Sequence, residues 1–173
     1  MSLGMSTATY TLLHVVISLT GIGSGLILLY GFLNGKRFDR INTTFLVTTV
    51  LTSVSGFGFP FEHLLPSHIV GLISLVFLAV ATSAWYAFHL IGSWRAIYVV
   101  SAVTALYLNV FVLVAQSFAK VSALKALAPT QKEPPFAIAQ LVVLLVFGGL
   151  TILSVRKFHP QPAAVDIRAR AAA

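Results

Sequence analysis

The chain has 173 residues, of which 58% are hydrophobic and 9% charged, with a net charge of +7 and no cysteine. A soluble domain carries about 25% charged residues, so this composition excludes an ordinary water-facing surface and points to an integral membrane protein of one domain. The absence of cysteine excludes disulfides, thiolate metal sites and iron–sulfur clusters.

Charges cut the sequence into five uncharged stretches, 1–35, 41–61, 63–94, 96–119 and 134–155. Each is long enough for the ~20 residues that a helix needs to cross ~30 Å of hydrocarbon. Backbone groups in lipid must be satisfied within their own segment, so each stretch reads as a helix. The expected fold is an all-α membrane bundle of five transmembrane helices, over about 10–33, 42–59, 67–91, 95–118 and 135–155. These make one domain over 1–158, followed by an Ala-, Pro- and Arg-rich tail over 159–173 that reads as disordered and cytoplasmic.

No Lys or Arg precedes the first apolar run, which argues against a removable signal peptide. Within that run Gly21 and Gly25 form a small-xxx-small pair that lets helix backbones approach closely. It reads first as packing within the chain and second as a contact between two copies. After the second run comes the stretch Phe57-Gly58-Phe59-Pro60-Phe61-Glu62-His63-Leu64-Leu65-Pro66-Ser67-His68. Glu62 is the only acidic residue between Asp39 and Glu133. Ser67, after Pro66, reads as the cap of the third helix. Trp85, Tyr86, Trp94 and Tyr98 read as an interfacial aromatic belt. A turn at Gly92-Ser93 makes helices three and four an antiparallel hairpin. Phe118, Val121, Leu124 and Leu127 recur at helical spacing, which predicts a short amphipathic helix on the outer surface. Prolines 129, 134 and 135 separate it from the last helix.

Lys36, Arg37, Arg40, Arg95, Arg156, Lys157, Arg168 and Arg170 fall on one side of the expected bundle, with only Lys120, Lys125 and Lys132 on the other. The positive-inside rule then places the amino terminus outside and the carboxyl terminus in the cytoplasm. The net charge reads as topology, with no nucleic-acid partner implied. The partners expected are the lipid bilayer and either further copies of the chain or a larger membrane complex.

The run from Leu108 to Gln116 and the segment Leu124-Lys125-Ala126-Leu127-Ala128-Pro129-Thr130-Gln131-Lys132-Glu133-Pro134-Pro135-Phe136 resemble a family of small bacterial multi-pass inner-membrane proteins with no assigned activity. The likeness extends over most of the chain, including the Phe-Pro-Phe stretch. It implies a bacterial inner-membrane setting and no particular chemistry.

Polar groups inside a bilayer are costly, so their placement is informative. His14 and His68 are expected near the outer ends of two helices, at one depth, and two imidazoles so placed could ligate a b-type haem or border a quinone site. Glu62, His63 and His68 supply donors that suit Zn or Cu, though not in a recognised spacing. Gln116 and Gln140 fall near the outer ends of their helices. Asn109 lies roughly 16 Å below Lys120 at 1.5 Å per residue. Interhelical or interfacial hydrogen bonding explains all of these equally well. No nucleophile–base pair or phosphate loop is visible, so an enzyme is the less expected outcome. Three functions stay open: an accessory or scaffold subunit, a redox anchor on His14 and His68, and a binder or carrier of a small apolar molecule.

Overall fold

The computed structural model describes residues 6–59 and 66–159. Glu62, His63 and the tail from residue 160 lie outside them. Among the described residues there are helices and no strand.

Helix α1 (Thr7–Leu33) starts three residues before its expected position because Ser6 caps it, its Oγ accepting the Thr9 N–H at 3.1 Å. Gly35, at φ 64°, then turns the chain in the left-handed region that glycine tolerates. Helix α2 (Asp39–Gly56) takes Asp39 into its first turn, where a negative charge suits the helix dipole. Its hydroxyls fold back on the helix: Thr44 donates to Arg40 O at 3.0 Å, Thr48 to Thr44 O at 2.7 Å and Thr52 to Thr48 O at 2.9 Å.

Helix α3 (Pro66–Thr82) begins at Pro66 itself, whose fixed φ suits a first helical position. Ser67 therefore sits inside the first turn and not at the cap. The expected continuation to residue 91 instead becomes a π-helical turn, Ser83–Ala87, which buries Ala84 and Trp85 together. His89 at φ 49°, Leu90 at φ 60° and Gly92 at φ 57° then reverse the chain. Helix α4 (Trp94–Lys120), the six-residue α5 (Ser122–Leu127) and α6 (Pro134–Lys157) follow.

Among the described residues four segments are long and apolar enough to cross a membrane: Thr7–Leu33, Ser67–Ala87, Trp94–Lys120 and Pro134–Lys157. That is the mark of a membrane protein. Helix α2, expected as a fifth span, is not among them, because Asp39, Arg40, Asn42 and a run of Ser and Thr dilute its apolar residues. Their outward residues, such as Leu13, Val16, Ile69, Val76, Leu141 and Leu145, are large, apolar and exposed, as a lipid-facing surface requires.

Helices α1 and α2 pack antiparallel, with Gly21 against Thr48 and Thr49, Gly25 against Phe45, and Gly31 against Phe38. A methyl group on Gly25 would lie 2.6 Å from Leu106 Cδ1 and 2.9 Å from Phe45 Cε2. The glycine pair is therefore used inside the chain, between α1, α2 and α4. Helix α6 lies antiparallel along α4 and buries only Phe147 and Ser154 fully.

The packed core occupies the half of the bundle nearest the carboxyl end of α1. Leu28, Phe32, Phe45, Leu78, Tyr98 and Leu106 are each at most 2% exposed there. Tyr98 donates its hydroxyl proton to Asn42 Oδ1 and packs against Trp85 at 4.9 Å between ring centroids. Trp85 and Tyr98 are thus core residues, correcting the aromatic-belt expectation. Tyr86 is exposed and Trp94 half-buried. The Arg37 guanidinium covers the Trp85 ring at 4.4 Å, and Arg95 donates to the last-turn carbonyls of α6, Val155 O at 2.8 Å and Phe158 O at 2.5 Å.

The expected amphipathic stripe is not one face. Phe118 belongs to α4 and is buried edge-on against Phe136 at 5.4 Å, while the chain breaks into extended backbone at Val121. Helix α5 then leaves Leu127 exposed.

Candidate functional site

The other half of the same bundle is hollow. A cavity of about 590 Å³ opens between α1, α2, α3 and α4 at the end where α1 and α3 begin. Side-chain size explains the change. Where the packed half carries Leu, Phe and Tyr, the four helices here turn Ser18, Ser53, Gly56, Gly71, Ser74 and Ser117 to the space between them.

Helical spacing puts Thr11, His14 and Ser18 of α1 on one wall. Helix α2 adds Thr52 and Ser53, with Phe59 just beyond its end, and α3 adds His68, Gly71 and Ser74. Helix α4 contributes Asn109 deep in the bundle, then Val112, Gln116 and, near the rim, Lys120. The expected site residues His14, His68, Asn109 and Gln116 thus border one space. Gln140 does not. It lies on the α4–α6 seam, where its Nε2 donates to Phe111 O at 3.1 Å. His89 is exposed at the opposite end.

Ser55 is the hinge of the rim, and nothing in its sequence context singled it out. Its carbonyl accepts the Tyr10 hydroxyl at 2.7 Å and the Gly58 N–H at 3.0 Å, while its Oγ is hydrogen-bonded to His14 Nδ1 at 2.7 Å. Phe59 packs edge-on against both Tyr10, at 4.9 Å, and His14, at 5.2 Å. Phe57 stacks on His68 at 5.2 Å, and His68 is 4% exposed. The end of α2 therefore holds both imidazoles in place through neighbouring aromatic rings.

Four wall hydroxyls are paired within their own helices, and two other polar groups of the wall residues are not paired. Thr11, Ser18, Thr52 and Ser117 donate to carbonyls of their own helices, at 2.7–2.9 Å, and show the cavity only lone pairs. Ser74 Oγ and Asn109 Nδ2 are buried and have no hydrogen-bond partner. A polar group so placed costs free energy while it has no partner. Both were obscure in the sequence: Ser74 sits in an apolar helix as one small residue among many, and Asn109 could equally have bonded a neighbouring helix.

Among the described residues no three His, Asp or Glu side chains form a group able to hold a metal ion. Of the expected metal donors only His68 lies within them. Comparison with protein-family models, with curated proteins and with solved structures gives no match to this chain.

Proposed function

We propose that the chain is a membrane-embedded binding protein for a small, lipid-soluble molecule held between α1, α2, α3 and α4. The observation that carries this is the cavity of about 590 Å³, within the ~300–1,000 Å³ range of small-molecule sites, whose walls join apolar side chains such as Leu19, Ile22, Leu108 and Val112 to at least as many polar ones. The accessory-subunit reading drew on Gly21 and Gly25 as a contact face, and both are occupied within the chain.

In this reading α2 is a fifth crossing, 18 residues or about 27 Å long at 1.5 Å per residue. Its back-bonded hydroxyls lower the cost of placing it in lipid, and α1, α3 and α4 shelter its Asn42 face. The basic residues of the α1–α2 turn, Arg95, Arg156 and Lys157 then lie at the cytoplasmic end. The cavity opens on the outer side of a bacterial inner membrane, and α5 rests at that outer surface.

The test is ligand-dependent stabilisation of protein purified in mild detergent, with solvent extraction and mass spectrometry of what co-purifies. A ligand at 100 times its Kd stabilises the fold by about 2.7 kcal/mol. Stabilisation by lipid-soluble probes, abolished by the space-filling Val112→Phe, is the expected result. No stabilisation and no co-purifying molecule would sink the idea. An optical spectrum with a Soret band would replace it by haem held on His14 and His68.

A further inference from the structure

The mouth of the cavity continues as a slot down one side of the bundle, between α1 and α4. Deeper in, these helices touch: Leu106 lies against Gly25, and Asn109 against Gly21. Seven residues make about two helical turns, so Ser18 repeats the face of Gly25 and Leu113 that of Leu106. At that level the helices have parted, and Ser18 and Leu113 both line the cavity. Leu106 is 1% exposed, Leu113 40%. Val15 and Leu19, beside Ser18, also line the cavity and are exposed. On the opposite wall Ser53, His68 and Ser74 are buried. The cavity is therefore closed on the α2–α3 side and open along the α1–α4 seam.

Depth and charge select the occupant. The lining residues run from Thr11 to Ile22 on α1 and from Lys120 to Leu108 on α4, about 16 Å and about 18 Å along the helix axes. One leaflet of a ~30 Å hydrocarbon layer is about 15 Å deep, so the slot matches the depth that one acyl chain fills. Its edges, Val15, Leu19 and Leu113, are apolar. The hydroxyls of Thr11, Ser18, Thr52 and Ser117 already donate within their helices and ask no hydrogen bond of a chain. At the top stands Lys120, exposed and, apart from two histidines, the only ionisable side chain among the described residues that line the cavity. It makes no ion pair among the described residues, and its charge acts on His14 across the slot. We infer that the slot admits an amphiphile with an anionic head, its acyl chain lying along the α1–α4 seam inside the cavity and its head paired with Lys120. Free fatty acids and anionic phospholipids share this chemistry. The inference rests on the cavity being a binding site, as proposed above, and adds the class of ligand.

The full-length protein in phosphatidylcholine vesicles tests it, with trace probes that carry a photoreactive diazirine in the chain: palmitic acid, hexadecanol, phosphatidylglycerol and phosphatidylcholine. At pH about 9 the acid is charged and lysine still protonated. Labelling, mapped by mass spectrometry, is read at Ser18 and Val112 in the cavity against Leu12 and Val16 on the exposed face of α1. At least one anionic probe should mark the cavity about fivefold more than its uncharged or zwitterionic counterpart, as one lysine beside an anionic head is worth. Lys120→Gln should remove that preference, Lys120→Arg should retain it, and Lys125→Gln, on the neighbouring α5, should leave it unchanged. Far-UV circular dichroism confirms that each variant is folded. A preference confined to the acid identifies a free fatty acid, and one that phosphatidylglycerol shares or shows alone identifies a bilayer lipid. If charged and counterpart probes mark the cavity equally and Lys120→Gln alters neither, the cavity is a binding site but the anionic class is refuted. If Lys125→Gln weakens labelling as much as Lys120→Gln, diffuse surface charge is responsible and the inference also falls. If no probe marks Ser18 or Val112 above Leu12 and Val16, the cavity reading itself fails.

Discussion

A single methyl group at Gly58 should uncouple the rim of the cavity. A Cβ there would overlap Tyr10 Oη and lie 2.8 Å from Tyr10 Cζ and 3.3 Å from Ser55 O. Tyr10 is 4% exposed, so its ring cannot simply swing into free space. It must leave its place, giving up the 2.7 Å hydrogen bond to Ser55 O and its edge contact with Phe59. Overpacking of this kind costs about 1–3 kcal/mol, and the hydrogen bond adds about 0.5–1.5 kcal/mol. Against this, alanine lowers the entropy of the unfolded chain, worth about 0.4–1 kcal/mol. The expected net loss for Gly58→Ala is about 0.5–4 kcal/mol, centred near about 2 kcal/mol, read by reversible unfolding in mixed micelles. In a Tyr10→Ala background the obstacle is gone, so the same change should be close to neutral, giving an interaction of about 2 kcal/mol. An equal cost in both backgrounds would refute the steric account.

Four further outcomes follow from the same contacts. Gly25→Ala should destabilise by about 1–3 kcal/mol, because Phe45 and Leu106 are fully buried and have nowhere to go; Gly23→Ala, with nothing within 4 Å, should not, and equal thermal shifts would contradict this. Arg95→Ala should cost about 1.5–3 kcal/mol by stripping a charged donor from the last turn of α6, with faster hydrogen exchange near Ser154 to Phe158 as the readout. Tyr98→Phe leaves the buried Asn42 carbonyl oxygen without its donor and should lower stability by about 1–3 kcal/mol, whereas an unchanged unfolding midpoint would show the pair to be dispensable. At Glu133, desolvation pushes the carboxyl up, but hydrogen bonds from the Thr130 hydroxyl and the Thr130 and Lys132 N–H groups outweigh it and hold the group below the usual carboxylate range. The turn at 130–133 is therefore fully supported above the ordinary carboxylate pKa and released as pH falls through the lowered one. Amide exchange at Thr130 and Lys132, corrected for intrinsic pH dependence, should rise in that acidic window and be pH-independent in Glu133→Gln.

Helices were legible because charges punctuate this chain and uncharged runs of such length have no other stable backbone in lipid. Their ends were less so. Ser6 extends α1 backwards and Asp39 is drawn into α2, both through local hydrogen bonding and dipole effects worth little beside hydropathy. The π turn at Ser83–Ala87 was hidden because it is chosen by what Trp85 packs against, the ring of Tyr98, and that is a tertiary matter. The same blindness turned Trp85 and Tyr98 into a belt: an aromatic near a helix end looks interfacial until its neighbours are known. On the site, depth along each helix was enough to suggest that His14, His68 and Gln116 share an end, with Asn109 deeper. It could not say which way Gln140 faced, since rotation about a helix axis is set by the packed partner. Nor could Ser74 be told from other small residues, because what distinguishes it is a missing partner.

A bundle that is hollow at one end and solid at the other is a cup rather than a pipe. The layer formed by Phe32, Phe45, Leu78, Tyr98 and Leu106 leaves no aqueous thread beneath the cavity floor. In the proposed role a molecule would settle in the hollow and leave by the same mouth, with the packed layer below unchanged. Filling or emptying the cup in that binding role would open no path for ions through that packed layer.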